Sequence, residues 1–132
     1  MNILANDGIS AAAKEALEAA GHRVWTEFIE PQDLVAFIQK EHVHGVIVRS
    51  ATKIRQPLID ACPDLKFVIR GGVGMDNIDV DYAREQGVEI RNTPASSSQS
   101  VAELVMGHLF GLSRFLHDSN RRMPVEGTDQ FK

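Results

Sequence analysis

The chain has 132 residues, 43% hydrophobic and 24% charged, which is close to the globular average and excludes a disordered tail, a collagen-like chain and a disulfide-held mini-protein. Lysine and arginine number 14 against 18 acidic residues, and the net charge of −4 offers no electrostatic footprint for nucleic acid or an anionic membrane. The single cysteine, Cys62, allows no intrachain disulfide and fits a reducing compartment.

Short apolar runs alternate with helical patterns along the first two-thirds. Ile3 to Ala5 reads as a strand ending at Asn6-Asp7. It carries neither the basic region nor the long apolar region of a signal peptide. No segment approaches the roughly 18 apolar residues of a membrane span, so the expected location is the cytoplasm. Ser10 caps a helix through Ala20 with Ala13, Leu17 and Ala20 on its apolar side, and Gly21 stops it. Arg23 to Phe28 alternates as a half-exposed edge strand does. Pro31 opens a second helix at its first turn, with Leu34, Phe37 and Ile38 toward the core.

Gly45 to Val48 is a continuous apolar run, as in a strand covered on both faces. A short helix near Pro57 to Cys62 follows, then a strand over Leu65 to Ile69, two helical turns over Asp79 to Gln86 stopped by Gly87, and a fifth strand over Val88 to Ile90. Five strands with intervening helices predict an α/β fold: a flavodoxin-like, doubly wound parallel sheet in the order 2-1-3-4-5.

From Val101 to Leu116 the chain predicts a long helix that is apolar most of the way round, with Gly107 and Gly111 spaced for close backbone approach. Such a helix calls for burial on more than one side, against a second domain or subunit. After Leu116 the apolar periodicity stops, and His117 onward reads as a loop or arm.

Ligands in open parallel sheets bind beyond the carboxyl ends of the strands. Those ends are Asn6-Asp7, Arg49-Ser50, Arg70-Gly71-Gly72-Val73-Gly74 and Asn92-Thr93-Pro94. Two arginines on neighbouring strands, beside a glycine loop whose N–H groups can approach a ligand, make a site for a small anionic metabolite. The residue types leave a second reading open, in which Arg49 pairs with a carboxylate such as Asp76 and the glycines only turn the chain. Gly72-Val73-Gly74 is not a dinucleotide fingerprint, because Asn77 stands at the third glycine position. No metal site, nucleophile or acid–base pair can be assembled from the five histidines and Cys62.

Four ordered segments carry a resemblance: Arg49-Ser50-Ala51-Thr52-Lys53, Gly72 to Asp79, Asn92-Thr93-Pro94, and Ser100-Val101-Ala102-Glu103-Leu104. Together they resemble the N-terminal part of the D-isomer-specific 2-hydroxyacid dehydrogenases, across nearly the whole chain. The resemblance implies that Arg49 and Ser50 bind a substrate phosphate and that the backbone at Val73 and Gly74 holds its carboxylate. Val73 would also touch the nicotinamide end of NAD. Ser97 would contact substrate, although several relatives carry asparagine there. The Arg-Ser start favours the branch that acts on 3-phospho-D-glycerate over lactate- and formate-type relatives.

No catalytic residue is expected within the chain, since the family's arginine, glutamate and histidine, and its G-x-G-x-x-G, lie downstream. The implied organisation is a substrate-binding domain over 1–97, a connecting and dimer-interface helix over 98–117, and an arm over 118–132 leading to an absent dinucleotide-binding domain. The expected partners are a small phosphorylated 2-hydroxy acid, NAD held mainly by that absent domain, and a second copy through the 101–116 helix. On this reading the chain is a truncation, inactive by itself. The rival is a stand-alone flavodoxin-like module that binds a small anion or dimerises without catalysis.

Overall fold

A computed structural model describes residues 1–126. Its sheet contains β1 (Asn2–Ala5), β2 (Arg23–Trp25), β3 (Gly45–Val48), β4 (Phe67–Arg70) and β5 (Glu89–Asn92). All neighbouring pairs are parallel, in the order β2-β1-β3-β4-β5. The strands alternate with helices α1 (Ala11–Ala19), α2 (Pro31–Lys40), α3 (Gln56–Ala61) and α4 (Val80–Glu85), followed by α5 (Ser98–Ser113) and α6 (Leu116–Glu126). The expected fold class and strand order are both present.

Local chemistry accounts for the element ends. The Ser10 hydroxyl accepts the Ala13 N–H at 3.2 Å, satisfying a donor at the start of α1. Gly21 turns the chain beyond that helix at φ +83°. Pro31 begins α2, where its missing N–H has no helical partner to lose, and Asp33 and Lys40 sit at the ends that the helix dipole favours. A side chain at Gly45 would fall inside the Phe67 ring, so this glycine leaves room for that ring on the paired strands β3 and β4.

Leu4, Ile38, Val43, Val46, Val48, Ile54 and Val68 are the largest fully buried side chains, and they form one cluster on and around β1, β3 and β4. Each such side chain contributes roughly 1.5–3 kcal/mol of burial. The core thus lies under the middle strands, whose carboxyl ends become rigid mounting points for loops.

Several boundaries differ from the sequence expectation. β2 ends at Trp25 because its neighbour β1 pairs with it only as far as Leu4↔Trp25, so Thr26 has no ladder to join and Phe28 is exposed. No residue of α1 is buried, and Ala20 lies at its exposed end.

The chain divides into two compact units, Met1–Pro94 and a second that starts at Ala95. In the second, the long helix does not reach Leu116: α5 ends at Ser113, and Phe115 takes a left-handed conformation, φ +52°. The loop expected from His117 is instead the helix α6, through Glu126. Asp118 pairs with Arg121 at 3.6 Å and Arg122 at 3.0 Å, at the i,i+3 and i,i+4 spacings that support a polar helix. Apolar periodicity is silent about such a helix because ion pairs, not a buried stripe, accompany it. No residue of α5 is buried; Leu104, Leu109, Leu112 and Phe110 are all exposed.

Candidate functional site

The site grows from the loops that leave β1, β3 and β4, three adjacent strands. Asp7, just beyond β1, accepts the N–H of Arg49 at 2.6 Å and those of Ala51 and Thr52 at 3.2 Å, and its other oxygen accepts the Thr52 hydroxyl. Burial alone would raise the Asp7 pKa, but the Thr52 hydroxyl and the N–H groups of Arg49, Thr52 and Ala51 outweigh it and hold the carboxyl below its ordinary value.

From the other side, Asn77 donates to the carbonyls of Arg49 at 3.1 Å and Thr52 at 2.7 Å. Asn6 donates to the Thr52 hydroxyl at 2.8 Å and exchanges two hydrogen bonds with Ile29. Asn6, Thr52 and Asn77 are 2%, 4% and 6% exposed, so their polar groups depend on these bonds. The segment 49–52 is therefore held on both flanks, and Arg49 and Ser50 project from it into solvent.

Among the described residues no carboxylate pairs with the Arg49 guanidinium, so the alternative pairing with Asp76 is not formed. The stem of Arg49 runs past Gly71, whose N–H donates to the Val48 carbonyl at 2.8 Å. Gly72 donates to the Thr93 hydroxyl at 2.8 Å and accepts the Thr93 N–H at 3.1 Å. The Val73 carbonyl accepts from Asn92 at 2.7 Å. Among the described residues the N–H groups of Val73 and Gly74 have no acceptor, and the Val73 side chain is exposed.

Gly72 has φ +142°, and a Cβ there would overlap the Arg70 guanidinium. Arg70 is half-buried, and its Nε has no hydrogen-bond partner among the described residues. Arg55 braces the far end of the glycine loop by donating to Asp79 at 2.7 Å and to the Asp76 carbonyl at 2.9 Å. The Arg55 guanidinium and the Gln56 N–H lower the Asp79 pKa.

The structure thus brings Arg49, Ser50, Val73 and Gly74 to one edge of the sheet. Ser97 belongs to the second unit, where it precedes α5 without making a side-chain cap bond. Sequence reasoning missed Asp7, Thr52 and Asn77 as positioning residues. In the sequence Asn77 breaks a glycine fingerprint; in the structure its amide ties two loops.

The remaining polar candidates are engaged elsewhere. His22 meets the N-terminus, His42 meets Asp64 and His44 accepts the Asn2 N–H. Burial and Asp64 push the Cys62 thiol up, away from nucleophilic character. No group of three His, Cys, Asp or Glu side chains among the described residues could hold a metal. Nor is any described helix long and apolar enough to cross a membrane. The arrangement gathers donors whose chemistry suits an anion at one edge of the sheet.

Residues 3–124 match the family described as D-isomer specific 2-hydroxyacid dehydrogenase, catalytic domain. The chain is 42% identical over 103 residues to hydroxypyruvate reductase of Thermotoga maritima, covering 78% of this chain and 31% of the relative. It is 34% identical over 122 residues to D-3-phosphoglycerate dehydrogenase of Sus scrofa, covering 92% and 22%. Among solved structures it is similar to cofactor (NAD+)-bound 3-phosphoglycerate dehydrogenase of Entamoeba histolytica, with TM-score 0.69 and 33% identity over 86% of this chain and 40% of that one. The chain therefore spans less than a third of the length of these curated relatives.

Proposed function

This chain belongs to the D-isomer specific 2-hydroxyacid dehydrogenase family, and from that premise we propose that it is the substrate-binding portion of an NAD-dependent oxidoreductase acting on 3-phospho-D-glycerate. The product would be 3-phosphohydroxypyruvate, a step toward serine. The observation that carries this reading is the pairing, on adjacent strand ends, of two kinds of free donor. The Arg49 guanidinium and Ser50 hydroxyl suit a phosphate, and the N–H groups of Val73 and Gly74 suit a carboxylate. A small acid with an anion at each end would be held at both.

The chain's own contribution to the cofactor is limited. Its glycine loop follows β4 and leads into an irregular segment before α4, so no helix N-terminus stands ready for the dinucleotide phosphates. The exposed Val73 side chain offers an apolar contact to the nicotinamide end. NAD supplies hydride acceptance when bound, and these residues would fix the substrate's orientation. The exposed apolar surface of α5 supports association of two copies through residues 101–116. The setting that fits this activity is the cytoplasm.

A second reading has its own support. The 42% identity to a hydroxypyruvate reductase favours a substrate without phosphate, for which Arg49 would bind only weakly. Titration of the chain with 3-phosphoglycerate and D-glycerate, followed by backbone amide shifts, separates the two. Tighter binding of the phosphorylated acid, with shifts at Arg49, Ser50 and residues 72–74, supports the first reading. Equal binding supports the second, and no binding of either at millimolar concentration leaves a non-catalytic module.

A further inference from the structure

A cavity of about 510 Å³ opens between α2 and the segment that follows β3. It lies beside the carboxyl ends of β1 and β3, the point at which strand order reverses in this sheet. Open α/β sheets take ligands at such points, and this volume falls in the range of roughly 300–1,000 Å³ typical of small-molecule sites. Ala51 and Thr52 line it, whereas Arg49, Ser50 and the glycine loop do not, so it is separate from the anion-binding edge.

Its walls are mostly apolar: Phe28, Ile29, Leu34, Pro57 and Leu58 contribute, and among the described residues no carboxylate lines it. Two cations do. Arg55 is committed to Asp79 at 2.7 Å and to the Asp76 carbonyl. Lys53 is exposed, and among the described residues it has no ion-pair partner. The polar groups on the floor are satisfied internally, since Asn6 and Thr52 bond each other. An occupant would meet apolar contacts inside and one free positive charge at the rim.

We propose that this cavity binds a small amphipathic monocarboxylate, with its apolar body against Phe28, Leu34 and Leu58 and its carboxylate on the Lys53 ammonium. A neutral ligand would leave the free cation unused. A phosphorylated or dianionic one would place a second charge against hydrocarbon, at a desolvation penalty. Charge complementarity and the acid-free lining therefore select the class.

The test is titration of the 132-residue chain with 4-phenylbutyrate, using 4-phenylbutan-1-ol as the uncharged counterpart, read by amide chemical shifts at neutral pH. Saturable shifts at Phe28, Ile29, Leu34, Lys53 and Leu58 are expected, with Arg49 and residues 72–74 less affected. Lys53→Met should weaken the acid about three- to fivefold, the range of an exposed ion pair, and leave the alcohol unchanged. Val35→Phe should block both ligands; should that variant fail to keep the native spectrum, Lys53→Met still decides. Absence of saturable binding, equal affinity of acid and alcohol, or shifts centred on Arg49 would each overturn the proposal.

Discussion

The Asp7 carboxylate accepts the backbone N–H of Arg49 at 2.6 Å, across 42 positions of sequence. One acidic side chain at the end of β1 thereby shapes the backbone that presents the arginine at the end of β3. The arrangement fixes the backbone while the Arg49 guanidinium makes no ion pair among the described residues.

Replacing Asp7 by Asn should destabilise the chain by about 1–3 kcal/mol, since the charged acceptor of several hydrogen bonds is lost. Urea denaturation at neutral pH measures this. The pH dependence has a definite sign. The folded-state pKa of Asp7 lies below its ordinary value of 3.8, so its contribution is fully present above about 3.8 and is lost as pH falls through the lower folded value. The difference between wild type and Asp7→Asn should shrink across that acidic window, and a difference that stays constant would show that the charge is not the source.

Arg49→Ala should leave thermal stability almost unchanged, because the side chain is exposed and makes no ion pair among the described residues. It should weaken 3-phosphoglycerate binding roughly tenfold to a hundredfold, as expected for a charge-assisted hydrogen bond. Arg49→Lys should recover only part of this, since an ammonium cannot present a forked pair of donors. Isothermal titration of the three proteins provides the comparison.

Gly72→Ala should be more damaging than Gly74→Ala. At Gly72 both φ, +142°, and the Arg70 guanidinium oppose a Cβ, whereas at Gly74 the nearest obstacle is the Asp76 carboxylate oxygen at 3.1 Å. A cost of about 1–3 kcal/mol at Gly72 is expected from the backbone strain. Thermal denaturation should rank the two variants in this order, with Arg70→Ala partly relieving the Gly72→Ala defect.

The apolar face of α5 should make the chain self-associate. Leu109→Glu together with Leu112→Glu should shift it to monomer in sedimentation equilibrium while leaving the sheet's amide spectrum intact. Identical sedimentation of wild type and variant would remove α5 as the contact.

The amino-acid order by itself determined the sheet and its succession of helices. Buried parallel strands need unbroken apolar runs such as Gly45 to Val48, and glycine, serine and proline mark helix ends by local backbone chemistry, so these signals survive without tertiary context. The placement of Arg49, Ser50 and the glycine loop at one sheet edge was legible for the same reason: position at a strand's carboxyl end is a property of the local sequence once the fold class is known. The tertiary structure alone decided how they are held. Asp7, Thr52 and Asn77 act through hydrogen bonds between loops that are distant in sequence, and no periodicity records such a bond. It likewise decided that Arg49 makes no ion pair among the described residues and that a cavity lies beside Lys53, because each depends on which side chains three-dimensional packing brings within reach.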